Sequence, residues 1–160
     1  NPECIGQYFV DKFWAAKPDK RELLAYCKEH SIGAIIPTRD GELPYFAKEK
    51  AYFQDHGILV LISNPESVAI CEDKYLFYEK LCYWGLPCIP TYLKFGEVTE
   101  GKQVVKERFG SRTHFMGVAE SNQDVESLSG KISEPIFQPF ISGQEFSVDL
   151  YRTLEGKVMG

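Results

Sequence analysis

Two short apolar runs separated by one helix-length segment constrain this chain most. Ala34-Ile35-Ile36 is closed by Pro37, and Ile58-Leu59-Val60-Leu61-Ile62 follows Gly57. Both are continuous apolar runs too short for helices, so they read as buried strands. Residues 42–56 between them carry Leu43, Phe46, Ala47 and Phe53 as an apolar stripe, with Gly57 placed to cap the end. An earlier helix should open at Pro18-Asp19 and run through His30, with Leu23, Leu24 and Cys27 on one face. The run Gln7 to Val10 is a further strand candidate. Strands alternating with helices at this spacing predict right-handed βαβ units on a parallel sheet, buried on both faces. Ligands of such sheets lie beyond the carboxyl ends of the strands. Here those ends carry Thr38-Arg39-Asp40 and Ser63-Asn64, which read as solvated connecting loops ahead of substrate contacts. There is no G-x-G-x-x-G, so a dinucleotide oxidoreductase has no fingerprint.

The pattern changes after residue 65. Asn64 and Pro65 suit the N-cap and first position of a short helix. Asp73 suits the N-cap of a second, residues 75–84, whose apolar side is Phe77, Tyr78, Leu81 and Cys82 and whose end is Gly85. Lys74 would sit in that helix's first turn, where the macrodipole disfavours a cation. The mismatch marks a functional lysine, or else a surface lysine turned away. Pro87 and Pro90 force an extended exit, and Tyr92 to Phe95 is a strand candidate.

Residues 104–118 read as strand, loop, strand. Val104-Val105 leads into Lys106, and Gly110 can adopt φ > 0 or let a ligand approach the backbone. A lysine at a strand end beside backbone N–H groups suits phosphate, while the same pattern fits a hairpin with a solvated lysine. A short helix capped by Ser121 follows, then a strand over residues 135–141 interrupted by Pro139. Residues 145–151 alternate strictly, predicting a half-buried antiparallel strand, and residues 154–157 predict a hairpin turn. The fold class expected is therefore α/β, becoming α+β with antiparallel hairpins in the second half.

Composition narrows the function. A net charge of −5 over 160 residues disfavours non-specific nucleic-acid binding. No run approaches the roughly 18 apolar residues of a membrane span. The five cysteines include no C-x-x-C, so a zinc site or disulfide framework is not expected; Cys27 and Cys82 read as structural thiols of a reducing cytosol.

Four ordered segments resemble the ATP-grasp superfamily, and within it the carbamoyl-phosphate synthase large subunit. Cys71-Glu72-Asp73-Lys74 with Gly85-Leu86-Pro87 is similar to the family's "D-K … G-I-P" helix and exit. Val104 to Ser111 is similar to "V-V-K-P-R-x-G-S", with Glu107 in place of proline. Ile136-Phe137-Gln138-Pro139-Phe140-Ile141 resembles the adenine hinge, and Gly143-Gln144-Glu145-Phe146-Ser147-Val148-Asp149 resembles "G-x-E-x-S-V-D".

The resemblance implies an incomplete Rossmann-like pre-ATP-grasp domain over residues 1–65 and an ATP-grasp nucleotide-binding region over residues 66–160. It implies that Lys74 and Lys106 contact ATP phosphates. The loop with Gly110, Ser111 and Thr113 would close over them, and Arg112-Thr113-His114 makes it less glycine-rich than the pattern. The Gln138 C=O and Phe140 N–H would face adenine, and Glu145 would bind the ribose hydroxyls. Magnesium is implied with ATP, its Glu and Asn ligands expected beyond Gly160; no metal ligand is assigned within the chain. The parent protein would be a cytoplasmic ligase joining a carboxylate to an amine or ammonia through an acylphosphate. Its partners would be small molecules, with no nucleic acid or membrane and with homo-oligomerisation open. This chain alone is expected to bind nucleotide without turnover. A non-catalytic nucleotide-binding or assembly module is the alternative.

Overall fold

The computed structural model describes residues 5–15, 19–98, 101–110, 116–153 and 155–160. They group into two compact units. One is built from the described residues up to Cys88 together with the segment that starts at Arg108; the other contains Ile89–Glu107 and the described residues from Met116 onward.

The first unit carries the expected strand–helix–strand. Asp19 caps α1 (Lys20–Glu29): its carboxylate accepts from the Arg21 and Glu22 N–H groups, and Glu22 reaches back to the Asp19 N–H. Strand β1 (Ala34–Ile35) and strand β2 (Leu59–Val60) pair in parallel, Ala34 opposite Leu59 and Ile35 opposite Val60. Helix α2 (Leu43–Asp55) joins them. Leu24, Cys27, Phe53, Ile58 and Val60 form the core, with Ile35, Phe46 and Tyr52 packed against it. The apolar runs are less deeply covered than continuous burial predicts: Ile36 is 65% exposed and Leu61 is also exposed. Only two strands pair here, so residues beyond the two-residue ladder have no neighbouring strand among those described. Of residues Gln7 to Val10, expected as a strand, Gln7 and Tyr8 instead close a 3₁₀ turn (Ile5–Tyr8) and Phe9 and Val10 follow it in a bend, with Tyr8, Phe9 and Val10 exposed.

Helix α3 (Pro65–Glu72) starts as its sequence requires, with the Asn64 side chain accepting from the Ser67 N–H at 2.7 Å. Asn64→Ala is expected to cost about 1 kcal/mol of unfolding free energy, the usual value of such a cap, measurable by urea denaturation. Helix α4 (Lys74–Tyr83) follows with Asp73 as N-cap. Its expected apolar side is poorly covered: no α4 residue is buried, and Phe77 and Cys82 are exposed.

The second unit is a three-stranded antiparallel sheet with β3 (Gln103–Glu107) between β4 (Met116–Ala119) and β5 (Pro135–Pro139). The two strands expected within residues 104–118 pair antiparallel, with Val104 opposite Val118 and Lys106 opposite Met116; residues 111–115 of the expected loop lie outside the described residues. Helix α5 (Asn122–Ser129), capped by Ser121 with Asp124 completing the box, packs on β3 and β4. Val105, Ala119, Val125, Ile132 and Phe137 fill the space between, with Leu128 at its border. Gly117 lies on that face, where an added Cβ would fall 2.7 Å from the Leu128 methyls and that side chain would have to shift.

Two expected strands fail in this unit. Of the candidate Tyr92 to Phe95, only Tyr92 pairs, through a single bridge to Phe137. Residues 145–150 form no ladder; pairing resumes only in the hairpin of β6 (Tyr151–Arg152) and β7 (Val158–Met159). Phe146, Val148 and Leu150 are 73%, 74% and 71% exposed. The alternation is real, but a half-buried strand needs a covering layer, and none of the described residues supplies one.

No helix among the described residues is long and apolar enough to cross a membrane.

Candidate nucleotide-binding elements

In the first unit the start of α4 is tied to residues 108–110. The Lys74 N–H donates to the Arg108 carbonyl at 3.0 Å, the Gly110 N–H donates to the Glu72 carbonyl at 3.1 Å, and Asp73 and Phe109 form an antiparallel bridge. Gly110 stands at φ 83° with open space around its Cβ position, so backbone conformation rather than crowding calls for glycine.

Asp73 does two jobs. Its Oδ1 accepts from the Tyr75 and Leu76 N–H groups at 3.0 and 3.1 Å, capping α4. Its two oxygens also take a bidentate fork from Arg108, Nε to Oδ1 at 2.8 Å and Nη2 to Oδ2 at 2.6 Å. The guanidinium lies 4.9 Å from the Phe109 ring centroid and 5.5 Å from that of Tyr75. Burial pushes the Asp73 carboxyl up, but the Arg108 fork and the helix N–H groups outweigh it and hold the carboxyl below its ordinary range.

Lys74 is not turned away. Its ammonium gathers three carbonyls of this segment: Gly110 at 2.5 Å, Phe109 at 3.4 Å and Arg108 at 3.5 Å. Those oxygens offset the unfavourable position at the helix start. Ser111 and Thr113 lie outside the described residues. Arg108 is the residue that sequence reading passed over. Its partner lies 35 positions upstream, and the signal available was the arginine within the "V-V-K-P-R-x-G" pattern.

In the second unit, Lys106 is half-buried near the end of β3. Val105 points into the core, so Lys106 points to the opposite face of the sheet, which it shares with its cross-strand neighbours Met116 and Ile136.

The adenine hinge requires a correction. The Phe137 N–H and C=O both pair with Tyr92 at 2.9 Å, on the side of β5 away from β3. Backbone direction alternates along a strand, so Gln138 and Phe140 point their N–H and C=O groups the other way, into the sheet. The Phe140 N–H indeed donates to the Lys102 carbonyl at 2.8 Å. The Gln138 C=O and Phe140 N–H therefore do not form an outward-facing pair; the Pro139 C=O, on the same peptide unit as the Phe140 N–H, points outward. The Gln138 side chain reaches Thr91 Oγ1 at 2.7 Å. Glu145 is exposed in the unpaired segment before β6.

Asp40, past the end of β1, and Ser63, past the end of β2, help line a cavity of about 390 Å³ in the first unit. Leu43, Ile62 and Val68 give it apolar walls, and Glu72 adds a second carboxylate. That volume falls within the roughly 300–1,000 Å³ typical of small-molecule pockets. Arg39 instead lies on the surface, 3.8 Å from Glu42. Among the described residues, no three His, Cys, Asp or Glu side chains are grouped so that they could hold a metal ion.

A parallel strand–helix–strand unit and an antiparallel sheet with a lysine on its central strand make a mixed α/β protein. Residues 71–159 match the family described as ATP-grasp domain, and the chain belongs to that family. Solved structures agree in fold. The D-alanine–D-alanine ligase of Bacillus anthracis aligns at a TM-score of 0.59, covering 78% of this chain and 45% of its own, with 22% identity. The biotin carboxylase domain of Hydrogenobacter thermophilus 2-oxoglutarate carboxylase, solved as a dimer with MgADP, ADP and bicarbonate, aligns at 0.58 over 76% of this chain and 31% of its own, with 14% identity. The D-alanine–D-alanine ligase of Helicobacter pylori aligns at 0.53 over 65% and 35%, with 17% identity. The chain thus spans less than half the length of these relatives. No curated protein matches the sequence.

Proposed function

We propose that this chain is the nucleotide-facing portion of an ATP-dependent ligase that joins a carboxylate to an amine or ammonia. The family match over residues 71–159 carries the reading, because that stretch contains both lysines and the Gly110 turn. In the proposed reaction a carboxylate oxygen attacks the γ-phosphorus of ATP and ADP leaves. The amine then attacks the acyl carbon and phosphate leaves. Lys106 and Lys74 are proposed as cations toward the phosphates, and Gly110, Ser111 and Thr113 are proposed for the loop that closes over those phosphates. Glu145 is proposed for the ribose. With Gln138 and Phe140 turned into the sheet, the Pro139 C=O is the backbone group proposed for the adenine edge. The described residues do not by themselves fit a magnesium site, and its ligands are proposed to lie beyond Gly160. The finer likeness to the carbamoyl-phosphate synthase large subunit rests on the order of the four sequence segments.

A thermal-shift titration with ATP and magnesium, with NADH as control, tests the nucleotide reading. ATP at 100 times its Kd is expected to add about 2.7 kcal/mol, which raises Tm by roughly 5–10 °C for a chain of this size. An unchanged Tm with ATP, or an equal rise with NADH, would overturn it. On a longer form of the protein, phosphate release that requires one particular carboxylate identifies the ligase. Binding without release leaves a nucleotide-binding module.

A further inference from the structure

The end of α4 places two thiols side by side. The Gly85 N–H donates to the Cys82 carbonyl at 3.0 Å and the Leu86 N–H to the Leu81 carbonyl at 2.9 Å. With Gly85 at φ 66°, these bonds form a Schellman turn, which reverses the chain at the helix end. Pro87 prevents the helix from resuming. The reversal returns Cys88 to the last turn of α4, where its Sγ lies 3.4 Å from the Sγ of Cys82. Cys82 is exposed and Cys88 half-buried, so an oxidant in solution can reach the pair. Cys27, by contrast, is enclosed in the core of the first unit.

We propose that Cys82 and Cys88 are a dithiol–disulfide site, closed by low-molecular-weight disulfides of the glutathione type. The deprotonated, exposed Cys82 sulfur attacks one sulfur of the oxidant, forming a mixed disulfide and expelling one thiolate. Cys88 then loses its proton and attacks the Cys82 sulfur, forming the intrachain bond and expelling the second thiolate. Two electrons pass to the oxidant, which leaves as two thiols. The roles follow from exposure, and the contact with Cys82, which pushes the Cys88 thiol up, keeps the proton on the resolving partner. The bond would fix the last turn of the helix whose first turn carries Asp73 and Lys74. This proposal is independent of the nucleotide reading.

Trypsin cleavage after Lys80 and Lys94 places both thiols, and no other cysteine, in the peptide of residues 81–94. After the intact protein is incubated with excess oxidised glutathione, that peptide is expected to be about 2 Da lighter and to resist alkylation, and dithiothreitol should restore both thiols. In Cys88→Ser the resolving step is lost, so glutathione should remain on Cys82 at about ten times the wild-type level. Two alkylatable thiols after oxidation, glutathione retained on both cysteines, or a disulfide-linked dimer in place of the lighter peptide would each overturn the proposal.

Discussion

Asp73→Ala is expected to lower the unfolding free energy by about 2–4 kcal/mol, read from urea denaturation. Two losses add. The first is the N-cap of α4, where removing a side chain that accepts from two N–H groups costs about 1 kcal/mol. The second is the Arg108 fork. Arg108 and Asp73 side chains are only 26% and 11% exposed, and removing one member of a largely buried pair leaves the other charge without its counterion. Asp73→Asn separates these effects, since the amide oxygen can still cap the helix; about half of the loss should remain. The pH dependence follows from the depressed carboxyl of Asp73. Its stabilising contribution is fully present above the unfolded-state pKa, near 3.9, and disappears as pH falls through the lower folded-state value. The stability gap between wild type and Asp73→Asn should therefore be constant near neutrality and narrow only below about pH 4. A gap that persists undiminished below the folded-state value would mean that the charge of Asp73 contributes nothing.

Lys106→Ala is expected to weaken ATP binding by about 1.5–3 kcal/mol, roughly 10- to 150-fold in Kd, measured by calorimetry. Lys106 sits on the face of β3 opposite the Val105 core, beside the buried Ile136, so urea denaturation of the same variant separates a loss of affinity from a loss of stability. Equal affinities would remove Lys106 from the phosphate role. Lys74→Ala makes an instructive comparison. Its ammonium already holds the carbonyls of Arg108, Phe109 and Gly110. Its loss should loosen that segment as well as weaken ATP binding, and the binding effect should be smaller than that of Lys106→Ala. A stability loss larger than the binding loss would make Lys74 chiefly a tether for the segment.

The same local arrangement explains why some features were legible in sequence. A cap depends on a side chain two or three positions from the N–H it accepts, so Asp19, Asn64, Asp73 and Ser121 were all readable as helix starts. The glycine at 110 was readable because φ > 0 is a property of one residue. The hairpin around Lys106 was readable because two apolar runs flank a polar loop, and the parallel pair because a helix lies between two short runs.

What the sequence could not supply were relations between distant positions and the presence of a covering layer. Residues 145–150 alternate as an amphipathic strand should, yet remain unpaired and exposed, because alternation specifies a face and not what packs on it. The direction of the Gln138 and Phe140 backbone groups was decided by the pairing of Phe137 with Tyr92, 45 positions away, since one bridge fixes the orientation of every residue along a strand. Arg108 gained its role only when the fold brought it to Asp73, and Cys82 met Cys88 only because the Schellman turn reversed the chain between them. Local chemistry along this chain determined where helices begin and where the backbone must turn. Only tertiary structure decided which charges meet, because that requires long segments to be held together by burial, a cooperative property of the packed chain.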